Sequence, residues 1–424
     1  MGRFFLHSST HKYLRAGGSK NRETRGASGA ARFCRAMLDA MRPRVVLAVG
    51  NFFFSLFATL IVYILLPYLS SFMPGAYAGL VVALGALGAV LFFPYLPRLV
   101  ARYGAQQLAL VFAIAEMVAL FALAASPGAI AGILLIAVTV ALQPFLYYEL
   151  DLLLEATIAQ EGTTGRVRAT FLTAWNIAAL AAPLLMGALL AHSNDYSRVF
   201  LAASAALVPF IVLFAARSLP KGKPPKLSRM RDAFFCVLHD RDLASVTFAH
   251  FLLYLFYVWT PLYVPVYLHD ALGIPWSSLG KMFSIMLIPY VLVEYPAGWI
   301  ADRFLGDKEL MFAGFLIAGG ALASLGVLST ASPLILILGI LIVSRIGAAL
   351  VESMTEIHFF RRVSEQDVNS VNIFRGIWPL ADLVAPIVGS FILFFGNYQI
   401  LFVLTGGFIA IVGVATTLFI KDFR

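Results

Sequence analysis

The chain has 424 residues, of which 61% are hydrophobic and only 12% are charged. Its mean hydropathy is +0.88, whereas soluble proteins carry roughly 25% charged residues. These values exclude a water-soluble fold, because a soluble chain of this length could not bury so much apolar surface. Lipid must accept that surface, with helices satisfying their own backbone polar groups. The composition predicts an all-α membrane protein.

The net charge of +9 does not indicate a nucleic-acid partner, because of where the basic residues lie. Ten of the 31 Lys and Arg residues precede Val45, and most others lie in alternate loops between apolar runs. Basic loops of this kind orient membrane proteins. The two cysteines, Cys34 and Cys236, predict neither a disulfide framework nor a metal site. No phosphate-binding Gly-Lys-Ser/Thr loop is present, so we expect no ATP-driven pump and no cofactor.

Residues 1–42 differ from the rest of the chain, and three interpretations fit them. They are rich in Arg, Ser, Gly and Ala, with only Glu23 and Asp39 acidic. Such a segment is typical of a disordered basic arm on the cytoplasmic face. It is also compatible with a start assigned too early, since Met41 would begin a membrane protein naturally. An acid-poor, Arg- and Ser-rich composition also fits an organellar transit peptide.

Twelve apolar runs follow, each near the roughly 20 residues that cross a bilayer. The runs are Val45–Leu66, Ala76–Pro97, Gln107–Ser126, Ala129–Leu152, Ala169–Ala191, Ser197–Ala216, Leu243–Leu268, Ser277–Ala301, Leu310–Ser329, Ser332–Val351, Ser370–Phe395 and Gln399–Ile420. A polar, basic stretch divides them six and six. We therefore predict an amino-terminal bundle at 43–216, a cytoplasmic linker at 217–242 and a carboxy-terminal bundle at 243–424.

The loop charges predict the orientation of the helices. One side receives Arg98, Arg102, Arg166, Arg168, the linker, Arg303, Lys308, Arg361, Arg362, Lys421 and Arg424. The other side has only Arg198 and Lys281. Because cytoplasmic loops carry the excess of Lys and Arg, both termini are expected in the cytoplasm. We expect a multi-pass protein of a bacterial inner (plasma) membrane, for which a monomer suffices.

The two halves resemble each other in sequence. Trp175 precedes Pro183 by eight residues, and Trp378 precedes Pro386 by eight, at an offset of 203 residues. Two further matches, at an offset of 201, are Asp151 and Glu155 with Glu352 and Glu356, and Ala101-Arg102-Tyr103 with Asp302-Arg303-Phe304. These matches predict a duplicated six-helix unit. Six crossings return the chain to its starting side, so the pseudo-two-fold axis runs along the membrane normal.

The loop after the eighth run carries the most specific motif, Gly298-Trp-Ile-Ala-Asp302-Arg303-Phe-Leu-Gly306-Asp-Lys308. It resembles the loop signature of the major facilitator superfamily, and the resemblance extends from about Met41 to Arg424. Membership would imply twelve helices in two pseudo-symmetric bundles. It would also imply secondary transport of a small solute by alternating access.

The resemblance makes Gly298, Asp302, Arg303 and Gly306 a candidate conformational latch. The alternative is an ordinary polar turn that contains a charge pair. The equivalent loop of the first half has Ala101 where the acid should be. Any latch is therefore expected to depend mainly on the second half.

Ionisable residues inside predicted helices are candidates for proton coupling, because each costs about 2.5–3.5 kcal/mol on insertion scales. The candidates are Asp382, Glu294, Arg345, Arg375 and Glu116. In the family arrangement the first four would share one wall of a central cavity. Asp382 or Glu294 would then take up and release the transported proton, unless the group is a static set of ion pairs that holds the helices in register. For Glu116, structural and functional interpretations both stay open.

Polar and aromatic residues on helices that the family places around the cavity are candidates for substrate binding. They are Asn51, Gln143, Tyr147, Asn176, Tyr254, Trp259, Tyr290 and Trp378. Trp and Tyr offer flat faces with a polar edge, which suits rings or cations. The alternative for each is packing between helices. We expect a neutral, amphipathic or weakly charged small solute, with import and export both open.

Two other functions remain alternatives to proton-coupled transport. A transporter-like protein can become a sensor or an assembly factor that moves no solute. A polytopic membrane enzyme would need clustered acid–base groups, and Glu352, Glu356 and His358 come nearest. Their spacing does not place all three on one helical face, so we do not expect an enzyme.

Overall fold

The computed structural model describes residues 41–161, 164–221, 237–363, 370, 373–374 and 376–421. Almost all of the predicted arm at 1–42 and most of the linker at 217–242 lie outside these residues. The described part is helical and contains no strand. The prediction of an all-α membrane protein is therefore confirmed.

Twelve helices of the described chain are long and apolar enough to cross a membrane, as predicted. We number them α1 to α12. They are α1 Pro43–Ser70, α2 Gly75–Tyr103, α3 Ala105–Ala124, α4 Ala129–Ile158, α5 Arg166–Leu189, α6 Ser197–Ala216, α7 Arg241–Ala271, α8 Trp276–Ala301, α9 Asp307–Val327, α10 Leu334–Arg362, α11 Ile377–Phe395 and α12 Tyr398–Thr417.

The breaks in helices α1 and α8 lie close to each other. In α1 the regular helix ends at Val62 and resumes at Leu65. In α8 it ends at Met286 and resumes at Ile288, followed by a proline, which has no N–H to donate to the preceding turn. Tyr63 at the first break stacks on Phe283 near the second, with ring centroids 5.0 Å apart.

Helix pairing is the same in the two halves. In the first half α1 packs on α5 and α6, α3 packs on α4 and α6, and α2 packs on α4. In the second half α7 packs on α11 and α12, α9 packs on α10 and α12, and α8 packs on α10. Adding six to each helix number of the first set gives the second set. The fold therefore has the pseudo-symmetry that the sequence repeats predict.

Small residues allow the helices of the second half to approach closely. A Cβ added at Gly314 of α9 would lie 2.8 Å from the carbonyl oxygen of Gly347 on α10. Gly319 of α9 contacts the backbone of Gly406 on α12 in the same way. Without a hydrophobic driving force between helices in lipid, such close van der Waals packing is a main source of association.

We call the membrane face that carries the start of α1 and the end of α12 the terminal face, and the opposite face the loop face. At the terminal face Gln106 donates to the carbonyl oxygens of Phe214 and Arg217, which ties α3 to the end of α6. In the second half the N–H of Lys421 donates to Asp242, 2.7 Å away, which ties the end of α12 to α7. The two halves meet along α2 with α11 and along α5 with α8.

Candidate functional site

Side chains from both halves converge at one level inside the bundle. Tyr147, Trp175, Tyr254 and Glu352 lie 9 to 13 residues from the terminal-face ends of their helices. At 1.5 Å per residue this is roughly 14 to 20 Å below the terminal face. We call the group around this level the central cluster; its members are Tyr147, Trp175, Tyr254, Tyr257, Tyr290, Arg345, Glu352, Trp378 and Asp382.

Aromatic rings join the two halves in the central cluster. Tyr147 of α4 packs on Trp378 of α11 with ring centroids 5.0 Å apart and an interplanar angle of 81°. Tyr147 also packs on Trp175 of α5, and Phe54 of α1 packs on the same indole. Tyr147 remains 37% exposed although it faces the other half of the protein. These rings therefore border a space that the protein itself does not fill.

A chain of polar groups lies beside these rings, and it begins at Arg345. This side chain is 3% exposed, with its guanidinium carbon 5.2 Å from the ring centre of Phe256. The hydroxyl of Tyr290 is within hydrogen-bonding reach of Arg345 and of Tyr257. Tyr257 in turn donates to Glu352 across 2.5 Å. Arg345 and Glu352, which are charges of opposite sign, are thus connected through two phenols.

Asp382 has different neighbours in the cluster. It accepts a hydrogen bond from the indole N–H of Trp378, the residue that also touches Tyr147. The Tyr254 hydroxyl lies within electrostatic range of Asp382 and Glu352. No contact joins Arg345 to Asp382 among the described residues. The two groups predicted to share one network therefore bind separate aromatic partners.

Two other predicted substrate residues fasten helices together. Asn51 is fully buried and donates to the carbonyl oxygen of Phe171, which links α1 to α5. Trp259 is 1% exposed and donates to the carbonyl oxygen of Ala385, which links α7 to α11. These are the packing roles that the sequence left open. Of the remaining candidates, Gln143 is half-buried and Asn176 is exposed.

The remaining proton-coupling candidates lie apart from the central cluster or outside the residues that the structure describes. Glu116 is fully buried in α3, and neither carboxyl oxygen has a hydrogen-bond partner in the described chain. Glu149 of α4, which the sequence did not single out, is in the same condition. Arg375 lies outside the described residues, as do the side chains of Glu294 and Asp302.

The candidate latch residues lie where α8 turns into α9. Gly298 faces Ile357 of α10 without close contact. The Arg303 guanidinium lies over the ring of Trp299, 5.1 Å from its centre. The N–H of Gly306 donates to Glu309, which caps the start of α9. Asp307, a described residue of this motif, forms an ion pair with Arg361 of α10 at 3.0 Å.

Asp307 belongs to a partly buried charge cluster at the terminal face, formed by Asp240, Asp242, Asp307, His358, Arg361 and Arg362. His358 is fully buried, with Nε2 3.2 Å from Asp242 and Nδ1 3.4 Å from Asp307. Arg362 lies 2.8 Å from Asp240 and 3.2 Å from Asp242. These contacts join α7, α9 and α10 within the second half. We call this group the terminal charge cluster.

Asp240 precedes α7, and its environment explains its acidity. Partial burial raises the pKa of its carboxyl group, but several groups act in the opposite direction. The backbone N–H groups of Leu243 and Asp242 donate to it, and the charges of Arg362 and Lys421 lie nearby. Together they hold the pKa of Asp240 below its ordinary value. Asp240 is therefore an ionised N-cap of α7.

The placement of acidic and basic residues at helix ends could have indicated part of the terminal charge cluster. Asp242 and Asp307 lie in the first turns of α7 and α9, and Arg361 and Arg362 lie in the last turn of α10. Acids at helix starts and bases at helix ends oppose the helix dipole favourably. That pattern predicts charged helix ends on one membrane face. It does not predict which ends meet.

The contacts between the halves concentrate toward the loop face. Ser284 of α8 donates to the carbonyl oxygen of Leu180 on α5, 2.7 Å away. A Cβ added at Gly187 of α5 would lie 2.9 Å from the Cα atom of Gly280 on α8. Between α2 and α11, Tyr77 packs on Phe394. The halves are therefore closed on the loop side, and the central cluster lies nearer the terminal face.

Comparisons with known proteins agree with this arrangement. A family model described as Major Facilitator Superfamily matches residues 47–354 and 246–423. No curated protein sequence matches the chain. The crystal structures of the nucleoside transporter NupG and of a mutant of it are similar in fold, each with a TM-score of 0.74 and 15% identity. They cover 89% and 90% of this chain, which in turn covers 99% and 100% of theirs. With its family match spanning both halves, the chain belongs to the Major Facilitator Superfamily.

Proposed function

We propose that the protein is a secondary active transporter that moves a small solute by alternating access and couples the movement to protons. One observation carries the proposal. Tyr147 and Trp378 bring the two halves together beside two carboxylates and an arginine, and Tyr147 is not fully covered by protein. Rocking of the halves about this level would expose the same side chains first to one face and then to the other.

Asp382 is the proposed proton carrier. It lies beside Trp378, so a solute that packs on this indole would alter the surroundings of the carboxyl group. A carboxyl group changes its proton affinity when it is desolvated or when a positive charge approaches. Closure around the solute would therefore change protonation at Asp382. Arg345 and Glu352 are joined through Tyr290 and Tyr257. They would be a second set of charged groups that changes its surroundings during the transport cycle.

The proposed solute is small, neutral or weakly charged, and contains a ring. Tyr147, Trp175 and Trp378 provide aromatic surfaces with polar edges, while Asp382 and Glu352 accept hydrogen bonds. Nucleosides combine a planar base with hydroxyl donors, and NupG is a nucleoside transporter of the same fold. At 15% identity that likeness concerns the fold alone, so nucleosides are the first class to assay among several.

The proposed orientation places the terminal face in the cytoplasm of a bacterial inner membrane. The basic residues of the described loops lie mainly on that face, including Arg102, Arg303 and Lys308. The positive-inside rule supports termini inside the cell. In this proposed orientation, contacts concentrated at the loop face would leave the conformation open toward the cytoplasm.

Flux in proteoliposomes tests the proposal. The purified chain is reconstituted, and the uptake of labelled nucleosides, amino acids, sugars and aromatic amines is measured with and without an imposed pH gradient. We expect accumulation of one class above equilibrium that collapses when a protonophore removes the gradient. Facilitated equilibration that ignores the gradient would contradict proton coupling. No flux of any solute, together with intact solute binding, would favour the sensor alternative.

A further inference from the structure

A second cleft, of about 420 Å³, opens at the loop face, at the opposite end of the bundle from the central cluster. Most of its wall comes from the first half, namely the end of α1, the turn between α3 and α4, and the loop before α6. Asp270, in the last turn of α7, is its contribution from the second half. The volume lies within the range of roughly 300–1,000 Å³ that small-molecule sites occupy.

Two carboxylates line the cleft, but only one is available to a ligand. Asp195 accepts from the N–H and the hydroxyl of Ser197 and forms an ion pair with Arg198 at 3.5 Å. Asp270 is exposed and makes no hydrogen bond or ion pair with any described residue. The neighbouring His269 ring is bound through Nδ1 to the backbone oxygen of Ile274. Asp270 is therefore the carboxylate of the cleft that makes no hydrogen bond or ion pair with a described residue, and the charge of its neighbour His269 acts on it.

Aromatic rings surround this charge. Tyr68 packs on Phe72 and on Tyr196 with ring centroids 5.1 and 6.2 Å apart. Phe72 is 41% exposed, so part of its ring faces the open cleft. Burial raises the pKa of the Tyr196 phenol, and the charge of Asp270 raises it further. Tyr196 therefore stays neutral and presents an electron-rich ring close to a carboxylate.

One further feature marks the cleft as more than a surface depression. Ser126, in its wall, has a φ of 53°, in the left-handed region that side chains other than glycine rarely adopt. Such backbone strain clusters at functional sites.

We propose that this cleft binds a small organic ammonium ion. A positive charge would lie between Asp270 and the faces of Tyr196 and Phe72, because ring quadrupoles and a carboxylate both attract cations. A divalent metal ion fits less well, since the described residues contain no group of three side chains able to ligate one.

Binding there would connect the two halves. Asp270 belongs to α7, whereas Phe72 and Tyr196 belong to the first half. An ammonium ion held among them would stabilise the conformation closed at the loop face. The site is separate from the proposed transport site, so its test does not depend on transport.

Binding of tetramethylammonium to the full-length protein in nanodiscs tests the proposal. Tryptophan fluorescence and thermal unfolding are recorded against increasing tetramethylammonium chloride, with equimolar sodium chloride as the control for ionic strength. We expect a saturable fluorescence change with tetramethylammonium alone, because Trp276 packs on Tyr196. The unfolding temperature should rise in parallel.

Variants locate the binding. Asp270→Asn and Phe72→Leu should each weaken tetramethylammonium binding at least tenfold, while Asp382→Asn in the central cluster should leave it unchanged. Phe72 is partly exposed, so its substitution keeps the test valid if Asp270→Asn unfolds the protein. No saturable signal with the wild-type protein, unchanged affinity in the folded variants, or loss of binding in Asp382→Asn alone would overturn the proposal.

Discussion

Tyr147 of α4 and Trp378 of α11 form an edge-to-face pair, 5.0 Å between ring centroids, that joins the two halves of the protein near the terminal face. Trp378 also donates to Asp382, so one indole contacts the opposite half and a carboxylate. A solute bound between the halves would meet this pair. The pair therefore links solute binding to the proposed proton carrier.

Removing the indole should weaken solute binding. Trp378→Ala is expected to raise the apparent KM of the transported solute by roughly 2- to 10-fold, since an aromatic pair contributes about 0.5–1.5 kcal/mol. Phe395→Ala is the control, because that ring lies at the loop-face end of α11, outside the central cluster, and is 81% exposed. Initial rates of uptake in proteoliposomes measure both variants. Equal changes in the two would contradict a specific role for Trp378.

Asp382→Asn should separate solute movement from proton movement. An amide retains the size and accepts the Trp378 hydrogen bond, but it cannot carry a proton. We expect exchange of labelled for unlabelled solute to continue while accumulation driven by a pH gradient is lost. Asp195→Asn, on the loop face, should keep both activities. Gradient-driven accumulation at the wild-type level in Asp382→Asn would show that the proton binds elsewhere.

A bulky residue at the contact between α5 and α8 should disfavour closure at the loop face. Gly187→Val places atoms within 3 Å of the backbone of Gly280, so the helices must separate. Gly320→Val is the control, since a Cβ there meets nothing within 4 Å. Cysteines introduced near the central cluster should become more reactive from the loop face in Gly187→Val only. Equal reactivity in both variants would be inconsistent with this contact being a gate.

The terminal charge cluster should be a major source of stability for the second half. His358→Ala removes the group between two buried carboxylates, Asp242 and Asp307. Asp242 keeps Arg362 and Asp307 keeps Arg361 in this variant, so what is lost is the buried polar contact of the imidazole. We expect a cost of about 1–3 kcal/mol. Arg303→Ala, on an exposed side chain, should change stability by no more than about 0.5 kcal/mol. Chemical unfolding in detergent compares them, and similar midpoints would refute the assigned role.

Asp240 leads to a prediction about pH. Its pKa is lower in the folded protein than in the unfolded chain, so its ionised form stabilises the fold above the unfolded pKa of about 3.9. That contribution is lost as the pH falls through the folded value. Asp240→Asn should therefore lower the unfolding temperature by a constant amount between pH 5 and 8. The difference should shrink below about pH 4, and a difference that grows on acidification would contradict the sign.

The sequence predicted the membrane class, the number of helices and the repeat, because those depend on the length and spacing of apolar runs. The bilayer requires about 20 apolar residues per crossing, so the pattern is nearly independent of tertiary contacts. The offset between Trp175 and Trp378 located equivalent positions in two helices that both contribute to the central cluster. The spacing of the apolar runs and the sequence repeat were together sufficient to predict the helix architecture.

The partners of individual polar residues could not be predicted in this way. Asn51 and Trp259 were named as substrate candidates with packing between helices as the alternative, and each donates to a backbone oxygen of a neighbouring helix. The periodicity of an apolar helix does not reveal which neighbour each face meets. Glu149 was missed for the same reason, and the contacts of His358 with Asp242 and Asp307 were not predicted, since both depend on helices far away in the chain.

Distances between spin labels test alternating access most directly. In a protein without Cys34 and Cys236, one pair of labels replaces Asn194 and Thr330 at the loop face, and another replaces Arg102 and Leu305 at the terminal face. We predict two distances for each pair. Gly187→Val should increase the fraction of molecules that show the longer loop-face distance, and the fraction that shows the shorter terminal-face distance should rise with it. A single distance for each pair, unchanged by Gly187→Val, would contradict the rocking of two halves around the central cluster.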